Sequence, residues 1–243
     1  MISVGQLTLL SGGALVLTAA LFLWRTFALP AACRRYGFAM VVACGGMSVT
    51  YFVTLLFPSL ETTISDLIRF LSYTVIWAAM IPILGAVAGA GRRLTALLLG
   101  IVMFRVWVTY AAGFVDGALG TILTLSPFVA LFAGIYLLYV SFERTSASTS
   151  GERRLLFSKL RNLVVLAWIA LVINGLISAM ALVDDLVSLV TLVYVEVVLL
   201  VGFGAILLRS VDALEETAAA STILPSRDAD AEFDPESETN LAD

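Results

Sequence analysis

Seven long apolar runs alternate with short polar breaks along this chain: Leu7–Phe27, Tyr36–Phe57, Asp66–Ala88, Leu94–Ala112, Ala118–Phe142, Leu155–Leu182 and Val187–Leu208. A bilayer core about 30 Å thick is crossed by roughly 20 apolar residues in a helix, so each run is long enough to span. The breaks carry proline, glycine or charge: Leu29-Pro30, Phe57-Pro58, Gly89-Ala90-Gly91, Gly113 to Gly117, Ser146 to Gly151, and Asp184-Asp185. Loops this short make successive helices antiparallel neighbours. The pattern therefore predicts an all-α, seven-transmembrane helix bundle over residues 1–210, with no internal repeat.

Composition agrees. Of the 243 residues, 60% are hydrophobic and 13% charged, and the mean hydropathy is +1.03. A soluble domain has about 45–50% apolar and about 25% charged residues, so a water-soluble globule is excluded. The apolar start of the chain lacks a charged leader, so the first segment is expected to be retained rather than cleaved.

Charge sets a direction. Eleven cations fall at the first, third and fifth breaks and after the last run: Arg25, Arg34, Arg35, Arg92, Arg93, Arg144, Arg153, Arg154, Lys159, Arg161 and Arg209. The opposite breaks hold acids alone: Glu61, Asp66, Asp116, Asp184 and Asp185. The positive-inside rule then places the N-terminus outside and the C-terminus in the cytoplasm, as expected of a multi-pass protein of the cell membrane. Residues 211–243 carry ten acids against Arg227, with Pro225 and Pro235. They are expected to form an acidic, disordered tail. Such a tail suits a salt-rich cytoplasm and also an ordinary solvated linker.

Chemistry is limited by what is missing. The sequence has no histidine, no metal-ligand cluster, no phosphate loop and no triad arrangement, so neither an enzyme nor a metal site is expected. Cys33 and Cys44 read as free thiols. Thirteen of the basic residues are arginine, and Lys159 is the sole lysine.

Charges within an apolar helix are costly and usually face the bundle interior with a partner. Glu196 and Arg69 lie at comparable heights in the last and third runs, and an antiparallel bundle can pair them, with Ser72 and Tyr73 completing their hydrogen bonds. That pair reads either as an ion site or as a structural salt bridge. Arg105, midway along the fourth run, is expected to snorkel outward towards Asp116 or the interface; a partner-facing role is the alternative. Asn174 is expected to hydrogen-bond to a neighbouring helix. Trp24 reads as an interfacial belt residue.

The last run is Glu196-Val-Val-Leu-Leu200-Val-Gly202-Phe203-Gly204-Ala-Ile206-Leu-Leu-Arg209-Ser210. It resembles the seventh helix of haloarchaeal microbial rhodopsins, the bacteriorhodopsin family. There an acid is followed after three residues by a lysine, then by Val-Gly-Phe-Gly and Ile-Leu-Leu-Arg-Ser. The sixth run, Leu160-Arg161-Asn162 through Trp168, is similar to that family's Leu-Arg-Asn stretch ending in a retinal-packing tryptophan. The third run, Arg69-Phe70-Leu-Ser72-Tyr73, resembles its Arg-aromatic-x-Asp-Trp.

The resemblance implies the opsin fold and a halophilic archaeal source, but not the family's photochemistry. The retinal-holding lysine falls on Leu200, and a Schiff base requires an amine. The proton-accepting carboxylate falls on Ser72, and the proton donor falls at or near Ile83. The tryptophan beside the acceptor becomes Tyr73. On the sixth run the family's tyrosine, proline and second tryptophan become Leu171, Val172 and Gly175. The resemblance thus implies a lysine-less opsin-related protein with no covalent cofactor. It leaves a vestigial pocket of Tyr73, Trp168, Leu171, Gly175 and Leu200, and the remnant ion pair of Arg69 and Glu196.

Three functions are compatible with these residues. The leading expectation is an accessory or signalling protein, not a light-driven pump, that acts through contacts with a rhodopsin, a transducer, another membrane protein or a second copy of itself. The basic segment Glu152 to Arg161 and the acidic tail would be its docking surfaces. The alternatives are non-covalent binding of a retinoid or carotenoid in a cavity left by Leu171 and Gly175, and retinal-independent passage of an ion or solute past Arg69 and Glu196. Nucleic acid is not an expected partner.

Overall fold

The computed structural model describes residues 3–57, 59 and 61–220. Seven helices in it are long and apolar enough to cross a membrane: α1 (Val4–Ala28), α2 (Ala31–Leu56), α3 (Thr62–Val87), α4 (Arg92–Ala112), α5 (Gly117–Ser146), α6 (Gly151–Ala179) and α7 (Asp185–Arg209). No strand occurs among the described residues. The protein is a multi-pass, all-α membrane protein.

Local sequence explains the helix ends. Ser3 and Gln6 form a reciprocal capping box at α1. The Ser150 and Asp184 side chains accept from the backbone N–H of Arg153 and Val187, starting α6 and α7. Between α3 and α4 the chain reverses at Gly89, whose φ of +67° favours a residue without a Cβ. The helices run a few residues beyond the apolar runs, because the first polar turn of a helix lies outside the hydrocarbon. Thus α3 begins at Thr62 and α6 at Gly151, before the expected Asp66 and Leu155.

Sequence neighbours pack side by side, and α7 closes the ring against α1 and α2, while α3 also meets α6. Close approach of α2 to α1 depends on Gly37, where a Cβ would land on the buried Thr26 side chain. Packing is tightest in the half of the bundle nearest the arginine-rich loops. Met80, Ile83, Leu84, Leu98, Val164 and Phe203 are all fully buried there. Both cysteines are buried and free.

The expected boundary of disorder at residue 211 is corrected. An eighth helix, α8 (Val211–Ala220), follows α7 after a break at Ser210. It folds because Ala213, Leu214 and Thr217 form one buried face against α6, α3 and the short turn Ala31–Cys33. Its acids Asp212, Glu215 and Glu216 remain off that face. Residues 221–243 of the expected tail lie outside the described residues.

Candidate functional site

Glu196 is set in the middle of α7 and is 5% exposed. The Tyr51 hydroxyl, from α2, donates to one of its carboxylate oxygens and the Tyr73 hydroxyl, from α3, to the other. Arg69, one turn before Tyr73 on α3, places Nη1 3.5 Å from the oxygen that Tyr73 also contacts. The guanidinium also lies 5.9 Å from the centroid of the Tyr51 ring. The expected Arg69–Glu196 pair therefore forms, and Tyr73 completes it as anticipated. Tyr51 is a member that the sequence reading missed. A tyrosine hydroxyl within the apolar part of α2 was the available signal, since a buried O–H seeks an acceptor.

Ser72 does not join this cluster, contrary to expectation. It points to the other side of α3, where its hydroxyl bonds with Thr50 and donates to the Gly46 carbonyl at 3.0 Å. Adjacent residues on a helix are about 100° apart, so Ser72 and Tyr73 cannot both face Glu196.

Next to the cluster lies a cavity of about 370 Å³ between α3, α4, α6 and α7. Of the expected pocket residues, Tyr73, Leu171, Gly175 and Leu200 border it, as do Arg69 and Glu196. Leu200 sits one turn beyond Glu196 on α7. No lysine borders the cavity: Lys159 is exposed near the start of α6. The residues present therefore do not fit a covalently attached retinal.

Trp168 departs from the expected role. It is 1% exposed and does not border the cavity; Trp77 does, with ring centroids 5.5 Å apart. A tryptophan at position 77, one turn beyond Tyr73 on α3, interposes its ring. Among the described residues Trp168 Nε1 has no hydrogen-bond partner. Its ring also packs closely on Gly134 of α5, 3.2 Å from where a Cβ would stand.

Arg105 likewise differs from expectation. It turns inward, bordering the cavity with its guanidinium carbon 5.7 Å from the Trp168 ring centroid. Asp116 makes no ion pair with it. The aromatic face of Trp168 takes the place of the outward route. Asn174 does donate to a neighbouring helix, to the backbone and hydroxyl oxygens of Ser188 on α7, while also bordering the cavity. Trp24 is exposed on the bundle surface.

The basic segment before and within α6 is not a free cationic surface. Arg153 donates to the Ala86 carbonyl at 3.0 Å. Arg154 and Arg161 both pair with Glu143 on α5. Arg161 also lies 4.1 Å from the Tyr139 ring centroid and donates to Asn162 at 3.2 Å. The Leu160-Arg161-Asn162 stretch thus ties α6 to the π-helical turn Leu137–Ser141 of α5.

No family model matches the chain, and no curated relative does. Solved structures do. A cyanorhodopsin from the cyanobacterium Tolypothrix superposes with a TM-score of 0.78 at 22% identity, covering 89% of this chain and 98% of that one. A thermophilic rhodopsin from Rubrobacter xylanophilus gives 0.79 at 20% identity, over 88% and 99% of the two chains. A light-driven proton pump from Leptosphaeria maculans gives 0.78 at 13%, over 88% and 96%. The chain therefore has the microbial-rhodopsin fold across nearly its whole described length.

Proposed function

We propose that this protein is a lysine-less opsin that forms no Schiff base, drives no light-powered ion transport, and binds a small molecule non-covalently inside the bundle. One observation carries this reading: a cavity of about 370 Å³ bordered by Leu200, Leu171 and Gly175, with no amine on its wall. Ligand sites commonly have volumes of about 300–1,000 Å³ and are mostly apolar with a few placed polar groups. Transport has little support. Glu196 is already engaged by two hydroxyls and a guanidinium, and the tight half of the bundle holds Ile83 among fully buried apolar side chains. The Glu196–Ser210 stretch supports a haloarchaeal source.

A role through contacts with other membrane proteins has weaker support, because three of the basic residues expected to dock a partner bond within the fold. The test is binding by the full-length protein in nanodiscs. A retinoid or carotenoid should bind saturably, remain extractable by solvent, and raise the unfolding temperature. At a free ligand concentration of 100 times Kd, stabilisation should be about 2.7 kcal/mol. No saturable binding and no stabilisation by any polyene would overturn the proposal.

A further inference from the structure

Arg105 and Arg69 are the two cations on the cavity wall, and Glu196 is its one carboxylate. Glu196 is committed: Tyr51, Tyr73 and Arg69 approach it together. Arg105 has no such neighbour. Among the described residues it makes no ion pair and no side-chain hydrogen bond, and its contact is the face of Trp168. The side-chain NH2 of Asn174 already donates to Ser188. Most of the remaining wall is apolar, including Phe70, Ile76, Trp77, Val106, Leu171 and Leu199.

We infer that the cavity takes an amphipathic monoanion, an apolar skeleton ending in a carboxylate, with Arg105 as its counter-ion. This rests on the ligand-binding reading above and names the ligand's chemistry. A cation at membrane depth without a partner is costly. A neutral alcohol or aldehyde offers Arg105 one uncharged acceptor and leaves its charge unbalanced, whereas a carboxylate offers two charged oxygens to the planar fork of a guanidinium. The anion also balances the excess positive charge of the wall, while its apolar body lies along α3, α6 and α7. A polyene acid and a saturated fatty acid share this chemistry.

The experiment titrates the full-length protein, in nanodiscs of zwitterionic lipid at neutral pH, with two matched pairs: all-trans retinoic acid and retinol, and palmitic acid and hexadecanol. Quenching of tryptophan fluorescence reports occupancy for the polyenes, and isothermal titration calorimetry reports it for the saturated pair. In at least one pair the acid should bind about tenfold or more tightly than the alcohol, the difference expected of a charge-assisted hydrogen bond. The pair that shows it identifies the skeleton. Arg105→Gln should bring the acid-to-alcohol ratio close to one, and Arg105→Lys should restore part of the preference. Equal binding of acid and alcohol by the parent would overturn this inference and leave the ligand-binding reading standing. So would a ratio in Arg105→Gln that matches the parent's. Failure of all four molecules to bind would remove both.

Discussion

Tyr51 donates its hydroxyl to Glu196 across 145 positions of sequence, linking α2 to α7 inside the bundle. Tyr73 does the same from α3, so one carboxylate ties three helices together while holding Arg69. A buried charge is tolerated in this way because each of its oxygens meets a donor.

Removing one partner of the Arg69–Glu196 pair should therefore cost more than replacing both. Glu196→Ala should lower stability by about 3–5 kcal/mol, because Arg69 is left facing the cavity without a counter-charge. Tyr51→Phe should cost about 1–3 kcal/mol, the penalty of one lost buried hydrogen bond. The double variant Arg69→Met, Glu196→Leu should be much closer to the parent than Glu196→Ala. Denaturant unfolding in mixed micelles measures all three.

At the arginine-rich end, the two partners of Glu143 should differ. Arg154 has a side chain 54% exposed, whereas that of Arg161 is 9% exposed and stacked against Tyr139. Arg154→Ala should cost under about 1 kcal/mol. Arg161→Ala should cost about 1–2 kcal/mol, since it removes a half-exposed ion pair with Glu143 and a cation–π contact with Tyr139 that holds a buried guanidinium. Similar losses for both would contradict this assignment.

Glycines 37 and 45 of α2 give a matched comparison. A Cβ at Gly37 would strike the Thr26 side chain, which is buried and bonded to the Phe22 carbonyl. A Cβ at Gly45 would meet nothing within 4 Å. Gly37→Ala should destabilise by about 1–3 kcal/mol through overpacking. Gly45→Ala should be neutral or stabilise by about 0.5–1 kcal/mol. Thermal unfolding in one detergent compares them directly.

The fold was legible because a bilayer demands long apolar helices, and that signal survives at every one of the seven runs. Arg69, Tyr73 and Glu196 were legible for a related reason: charge at membrane depth needs a partner, and few were on offer. Tyr51 was hidden because a tyrosine in an apolar helix also suits ordinary core packing. Ser72 was misplaced by adjacency in sequence, which a helix turns into directions about 100° apart. Arg105 was misread because snorkelling distance says nothing about rotation, and its helix turns that position towards Trp168. The helix α8 was masked by its acids, since its buried face is as small as Ala213, Leu214 and Thr217 and its polar ties, Arg35 to the Ala218 carbonyl and Ser150 to Glu216, come from distant parts of the chain.

Leu200→Lys asks whether the cavity wall still positions position 200 as the fold implies. Leu200 borders the cavity one turn from Glu196, so a lysine there would present an amine beside a carboxylate. With added all-trans retinal, Leu200→Lys should become coloured, and borohydride should bleach it by reducing the imine to a stable retinyl amine on α7. A folded but colourless variant would show that the cavity is closed to that aldehyde.

A bundle with no amine on its cavity wall should hold no covalent chromophore. The most direct test is the parent protein expressed with all-trans retinal, reduced with borohydride, and mapped by mass spectrometry. The chain should be unmodified, with any absorbing material removed by solvent. A retinyl adduct on the parent bundle, at Lys159 or elsewhere, would contradict this.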